Sequence, residues 1–400
     1  MNRRMSGALD LARWVAALCV LFAHTSGSMV ALYADTPSAY RTFGEKIWLL
    51  LNGFGHISVT IFFVLSGYLV GGRLLERARH TGSIEWKRYI IDRVVRIHLV
   101  LIPALVLTFF VDKMLAHYDP TFIQRHFPRN TSWTIFAGNI FNLQNFYVPF
   151  FGSDGPIGTL ANEFWYYFTF PLLLAPLLIT RPRRERVFLF VLGLVLCLVF
   201  WWPQHQHIWG FLIWGVGVMV AWLNRPLLRS VPFSVCIFLI VAVLLRAIVR
   251  REVMQISWYL FVSDVILSIA FANLMLALRF ATDPERTFLY SPLHSKLAGF
   301  SYSLYACHMP LLFLACLFCK AHFGFGMGDV VTHSSQWLIV AGALSAILAC
   351  AYLISVMTEN HTKAVRHCAY RLLKVERVTR PDGPGEASFP KHPALGQEPG

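Results

Sequence analysis

Ten apolar runs of roughly 20 residues, separated by short polar segments, organise this sequence: about 8–30, 47–71, 91–112, 158–179, 186–203, 207–223, 232–249, 257–279, 298–320 and 335–357. An α-helix rises about 1.5 Å per residue and the hydrocarbon core of a bilayer is about 30 Å thick, so runs of this length predict membrane-spanning helices. The pattern therefore predicts an all-α, polytopic membrane protein with about ten transmembrane helices. The longest connection, about 113–157, is rich in aromatics, Asn and Gly. Its stretch from Ser132 to Phe146 is too polar to span, so an interfacial or re-entrant helix is expected there, with partners for its amides. After about 377 the chain turns Pro-, Gly- and Glu-rich and is expected to be disordered. The expected organisation is a membrane domain over 1–360 and a basic, then disordered, tail over 361–400.

Composition agrees with the pattern. Of 400 residues, 56% are hydrophobic and 14% charged, where a soluble domain carries about a quarter charged. Mean hydropathy is +0.55. That balance excludes a cytosolic enzyme, a disulfide-stapled secreted domain and a disordered scaffold. Lys and Arg number 35 against 21 Asp and Glu, a net charge of +14. The excess does not read as a nucleic-acid surface, because the arginines collect in short segments between apolar runs. Those segments are Arg73 to Arg79 with Lys87, Arg88, Arg93 and Arg96; Arg181 to Arg186; Arg225 and Arg229; Arg279 and Arg286; and Lys363 to Arg380. The positive-inside rule puts them on the cytoplasmic side, and an even number of spans then puts both termini there. Arg246, Arg250 and Arg251 break the rule by falling on the outer side. Arg3 and Arg4 precede the first run as in a signal peptide, but that run carries Arg13 and His24 and lacks a small-x-small site, so an uncleaved first span is expected. Seven of the eight cysteines lie in apolar runs, and Cys316-x-x-Cys319 has no second pair, so neither metal nor redox use is expected.

Ionisable side chains within spans are costly unless paired or hydrated, which makes the few present here the candidates for function. Arg13 and His24 share the first run, eleven residues apart. Eleven steps of about 100° return to within roughly 20° of register, so both project from one helix face, about 16 Å apart along the axis. Arg13 then lies toward the cytoplasm and His24 in the outer third; either they work together, or Arg13 snorkels to headgroups while His24 bonds a neighbouring helix. Ser66, Gly67 and Tyr68 make a small polar notch at the end of the second run, which suits close helix packing or a cavity wall. Arg93-Val-Val-Arg96 puts two guanidiniums on one face at the inner boundary, suited to phosphate or simply two more inside charges. Glu163, in the fourth run, lies at nearly the depth of His24, as an orienter of that imidazole or as an interfacial carboxylate. Ser301, Tyr305 and His308 follow the i, i+4, i+7 spacing of one helix face in the ninth run.

In this order the segments resemble the acyltransferase 3 family of integral membrane acyltransferases, over about residues 8 to 360. Arg13 leading to His24 is similar to that family's R-x10-H, and Thr60 to Tyr68 to its F-F-V-L-S-G-[FY]. Arg93 to Arg96 is similar to its R-x-x-R, Leu160 to Pro171 to its segment around an acidic residue, here Glu163, and Ser301 to His308 to its S-Y-x-L-Y-x-x-H. Glu359 resembles its closing acidic residue. The sequence departs from the family at Gly158 and Thr159, where Trp and Ser are usual, and at Asn162, where a second Glu is usual.

The resemblance implies a bacterial inner-membrane enzyme that moves an acyl group, most often acetyl, from acyl-coenzyme A to a carbohydrate hydroxyl on a surface polysaccharide or lipid-linked glycan. It implies His24 as general base with Glu163 and Arg13 beside it, and Arg93 and Arg96 on the donor's phosphates. Ser66, Tyr68, Ser301, Tyr305 and His308 would line the cavity. Acetyl-coenzyme A enters as donor substrate, with no permanently bound cofactor and no metal; the other partners are the glycan acceptor and membrane lipids, without nucleic acid. A proton-coupled transporter or flippase is the rival reading of buried Arg, His and Glu, and a scaffold in a glycan-assembly complex is a third; the sequence has no internal repeat of the kind that marks many transporters.

Overall fold

The structure is a computed structural model and describes residues 3–121, 130–201, 205–248, 257–281 and 292–375. Among these residues all ten apolar runs are carried by helices, the arrangement that satisfies backbone N–H and C=O groups within their own segment in lipid. The order is α1 (Arg3–Ser28), α2 (Phe43–Asn52), α3 (Gly55–Ser66), a π-helical turn (Gly67–Gly72) running into α4 (Arg73–Thr81), and α5 (Trp86–Tyr118). There follow α6 (Trp133–Ile140), α7 (Ile157–Leu178), α8 (Arg183–Trp201), α9 (His205–Trp222) and α10 (Val231–Ile248). The chain continues with α11 (Ser257–Phe280), α12 (Pro292–Gly299), α13 (Ser301–Phe323), α14 (Gln336–Met357) and α15 (Thr362–Leu372). Among the described residues six helical segments are long and apolar enough to cross a membrane: 4–28, 43–81, 86–118, 258–280, 301–323 and 336–372. Two further apolar helices, 207–222 and 231–247, are shorter. On α8 and α10, Phe188, Leu198, Phe233 and Val243 face outward, the surface a lipid-facing helix presents. The chain is a polytopic membrane protein.

The two largest apolar clusters among the described residues hold most of the bundle together. One joins α1, α5, α7, α13 and α14 through Leu21, Leu101, Leu105, Tyr166 and Leu312. The other joins the start of α1 to α3, α9 and α11 through Leu9, Leu65, Tyr68, Val220 and Met275. Glycines let the π turn and α9 meet backbone to backbone. A Cβ on Gly67 would lie 1.9 Å from the Trp214 carbonyl oxygen, and one on Gly217 would lie 2.0 Å from that of Val64.

The second run, expected as one span over 47–71, lies within the single apolar segment 43–81, whose helix is interrupted by a turn at Gly53 and Phe54 between α2 and α3. Arg246 sits at this interruption. Its Nη2 donates to the Leu49 carbonyl at 2.8 Å, and a Cβ on Gly53 would sit 1.2 Å from its Nε. A guanidinium there satisfies a carbonyl that the helix end leaves open and complements the negative end of the dipole. The arginine that violates the positive-inside pattern is thus a helix cap. Arg186 and Arg279 do the same at the other end of the bundle, donating to Pro176 O of α7 and to Val220 O and Ala221 O of α9. Arg250, Arg251, Arg286 and the Pro-rich tail lie outside the described residues.

The amide-rich stretch folds over the end of the bundle opposite the arginine clusters. Ser132 caps α6 through the Ile135 N–H, and Asn139 donates to Ile135 O and Pro149 O while accepting from Phe151 N. Gln144 donates to Ile157 O, and Trp165 Nε1 donates to Asn142 O. Beneath this cover Asp112 accepts the Ser153 N–H at 2.9 Å, and the neighbouring Asp154 is fully buried. Burial first, then the nearby Asp112, push the Asp154 carboxyl well above the ordinary carboxylate range. The folded state therefore holds a proton there that the unfolded chain releases near pH 4, so stability falls as pH rises from that point until Asp154 ionises. Asp154→Asn is expected to flatten this decline. Thermal unfolding in detergent across pH, with a wild-type slope no steeper than the variant's, would refute it.

Candidate active site

A cavity of about 440 Å³ opens in the half of the bundle that carries the arginine clusters. Its wall takes Asp10 and Arg13 from α1, Ser66 from α3, Arg93 and Arg96 from α5, Glu163 from α7 and Ser301 and Tyr305 from α13. Both apolar clusters border it, through Leu9 and Leu65 on one side and Ile97 and Leu160 on the other. Seven of the ten sequence-predicted residues thus share one space, namely Arg13, Ser66, Arg93, Arg96, Glu163, Ser301 and Tyr305.

The polar wall is held in place by second partners. Glu163 accepts a hydrogen bond from Tyr167 Oη at 3.0 Å, and Tyr167 Oη meets Ser66 Oγ at 3.0 Å. Trp214 Nε1 donates to the same Ser66 Oγ at 3.2 Å, which ties this chain to α9. Arg93 lies over the rings of Tyr89 and Tyr167, 5.6 and 5.9 Å from their centroids. Tyr89 Oη donates to the Tyr167 carbonyl at 2.8 Å, so the aromatic cradle of Arg93 is itself fixed. Arg13 pairs with Asp10 at 3.5 Å. Glu359, just beyond α14, accepts from both the N–H and the Oγ of Ser303, at 2.9 and 2.7 Å. A carboxylate at that point caps the positive N-terminus of α13 and anchors the helix that carries Ser301 and Tyr305.

His24 and His308 are placed elsewhere. Neither lines the cavity; they meet each other behind its deep end. There Tyr305 hydrogen-bonds Thr159 at 2.5 Å and packs against the Phe62 ring, 5.6 Å between centroids. The far side of the Tyr305 ring faces His308, 5.9 Å away. Tyr305, held by Thr159 and Phe62, thus stands as a partition one side chain thick between the cavity and His308.

The hydrogen bonds of that pair fix its tautomers. A carbonyl oxygen only accepts, so His308 Nδ1 carries the proton it donates to Tyr305 O at 2.7 Å. His308 Nε2 is then a lone pair, and it accepts from His24 Nδ1 at 3.0 Å. His24 Nδ1 also reaches Val20 O at 3.0 Å, which again requires the proton on Nδ1. In the neutral ring His24 Nε2 then keeps its lone pair, the atom through which this imidazole can act as a base. The group bonded to His24 is His308, whereas Glu163, expected beside that imidazole, accepts from Tyr167.

Tyr68 is a correction. It was expected on the cavity wall and is buried instead in the second apolar cluster, against α9 and α11. Tyr68 stands two residues beyond Ser66, about 200° round a helix, and so lies away from the face that bears Ser66. The Cys316-x-x-Cys319 pair is unbonded, and Cys316 Sγ donates to Ser28 O at 3.6 Å.

The comparisons with known proteins bear on this architecture. Residues 6–356 match the acyltransferase domain that defines one family. The chain belongs to the acyltransferase 3 family. Relatives from Staphylococcus aureus strains COL, N315 and MW2, each named "Putative O-acetyltransferase", are 27% identical over 184 residues. That stretch covers 44% of this chain and 25% of theirs, so the chain spans about a quarter of the length of these relatives. No solved structure matches. Within this acyltransferase 3 chain, several polar residues escaped the sequence reading. Arg73, Asp92 and Arg366 line the cavity, but each sits in a charged segment that reads as solvated. Tyr302 lines it too, its hydroxyl buried without a hydrogen-bond partner. Asp264, on α11, pairs with His56 at 2.8 Å and accepts from Thr60 at 2.9 Å. Its position inside an apolar run was the available signal.

Proposed function

We propose that this acyltransferase 3 chain transfers an acyl group, in the first instance acetyl, from acyl-coenzyme A to a hydroxyl of a carbohydrate, as a cell-surface or lipid-linked glycan unit presents it. The observation that carries the reading is the guanidinium-rich cavity that ends one side chain from a hydrogen-bonded histidine pair. Positive-inside charge assigns the cavity's end of the bundle, and both termini, to the cytoplasm, where acyl-coenzyme A resides; the membrane is the bacterial inner membrane.

The donor's phosphates meet Arg93 and Arg96, whose planar forks suit phosphate bidentately. Its extended arm runs inward past Glu163 and Arg13 toward Tyr305, and Tyr305 must swing off Thr159 for the thioester to reach His24. The acceptor hydroxyl attacks the thioester carbonyl carbon while His24 Nε2 takes its proton. Collapse of the tetrahedral intermediate breaks the C–S bond, and the leaving thiolate receives that proton as free coenzyme A. Hydroxyls are poor nucleophiles at neutral pH, which is why a positioned base is required. An acceptor at the outer end is then acylated by a donor at the inner end, without a separate carrier crossing the membrane.

Protein in nanodiscs, given acetyl-labelled acetyl-coenzyme A and a surface-glycan extract, is expected to move label into glycan and release coenzyme A. Arg93→Ala is expected to weaken donor use about tenfold or more in KM, since a hydrogen-bonded charge contributes about 1.5–3 kcal/mol. Neither transfer nor coenzyme A release with several acyl donors and acceptors would overturn the reading in favour of transport.

A further inference from the structure

Five guanidiniums line the cavity, from Arg13, Arg73, Arg93, Arg96 and Arg366. Arg366 belongs to α15, which lies beyond the residues that match the family's domain. It pairs through Nε with Asp92 of α5 at 3.1 Å. Tyr370, four residues on and so on the same helix face, donates its hydroxyl to the same Asp92 oxygen. Arg88 lies over the Tyr370 ring, 5.6 Å from its centroid. No residue of α15 is buried, so an ionic and aromatic clasp on α5, rather than an apolar face, sets the helix at the cavity mouth. Arg366 shares the level of Asp92, on the first turns of α5, and Arg96 lies a turn deeper. Among the described residues no carboxylate lies within ion-pair distance of Arg73, Arg93 or Arg96, and the Nε of Arg93 is buried without a partner. The mouth therefore holds more cationic fork than its own carboxylates use, at two separate depths.

We propose that α15 completes the donor site: Arg366, with Arg73 of α4, binds a second phosphate group of the donor, the monophosphate on the nucleotide's ribose, while Arg93 and Arg96 take the pyrophosphate. This rests on the acyl-coenzyme A reading above. The order of groups along an extended donor is ribose phosphate, pyrophosphate, arm and thioester. Along α5 the Asp92–Arg366 pair precedes Arg96 by one turn, the order in which an extended donor presents its ribose phosphate and its pyrophosphate. Arg366 Nε lies 3.1 Å from Asp92 as an ion pair without a hydrogen bond, and among the described residues no hydrogen bond engages its two terminal nitrogens, which leaves them for an anion.

The test compares acetyl-coenzyme A with its 3′-dephospho form as donors for the full-length chain in nanodiscs. Arg366→Ala is expected to raise KM for acetyl-coenzyme A about tenfold, to leave KM for the dephospho donor unchanged, and to leave kcat nearly unchanged on both. Arg366→Lys is expected to recover part of the loss. A merely structural role would raise KM for both donors alike, and that result overturns the proposal, as does an unchanged KM for both. A wild-type protein that uses both donors equally well would also overturn it while sparing the broader reading. Use of neither donor by the wild type would sink the two together.

Discussion

His24→Gln is expected to lower turnover by about 10²–10⁴-fold while leaving KM for acetyl-coenzyme A close to wild type. The size is that of a lost general base. The split follows from position, because His24 stands behind the Thr159–Tyr305 partition, on the far side from the arginines that would hold the donor. His308→Leu tests the tautomer argument. It removes the lone pair that accepts from His24 Nδ1 and is expected to cost about tenfold in kcat, less than loss of the base itself. His308→Gln, which offers an acceptor oxygen at that place, is expected to recover part of it. A packing role for His308 would predict loss of thermal stability in both variants and no such rescue. Wild-type turnover by folded His24→Gln would move the base to another group, and Glu163, on the cavity wall, would be the next to substitute.

Much of this site was legible because membranes make polar residues conspicuous. An Arg, His or Glu within an apolar run is expensive, so Arg13, His24, Glu163 and His308 stood out, and helical spacing brought Ser301, Tyr305 and His308 to one face. The partner of each was not legible. Nothing in the spacing says that His24 meets His308 rather than Glu163, since that depends on how α1, α7 and α13 pack side by side. Tyr68 failed because nearness to Ser66 in sequence is not a shared face: residues two apart lie on opposite sides of a helix, and Tyr68 packs against α9 and α11. Arg73, Asp92 and Arg366 failed for the opposite reason to His24, being charges among charges at the boundary, where charge carries little information. Arg246 was visible as an exception to the charge rule, and only its contact with the end of α2 explains it.

Gly67→Leu is expected to prevent a folded protein from being recovered, and Gly67→Ala to lower its thermal stability sharply. A side chain there would strike backbone. At Gly67 even a Cβ would lie 1.9 Å from the Trp214 carbonyl oxygen and 2.9 Å from its carbon, both backbone atoms of α9. Backbone within a helix cannot rotate aside as a side chain does, so relief requires α9 to move away from the π turn. That movement would part Trp214 Nε1 from Ser66 Oγ, and with it the chain through Tyr167 to Glu163. Overpacking typically costs about 1–3 kcal/mol where side chains can adjust, and this site lies at or beyond the upper end. Gly342, on an exposed face of α14 with nothing within 4 Å of a Cβ, is the matched control, and Gly342→Ala is expected to lose no stability. Thermal unfolding of both variants in detergent separates this account from a general cost of replacing glycine in a membrane helix. Equal melting temperatures for Gly67→Ala and wild type would mean that α9 can retreat without loss, and that the bond from Trp214 to Ser66 does not fix the cavity wall. A lowered melting temperature together with reduced turnover would instead tie the packing of the π turn to the position of Glu163.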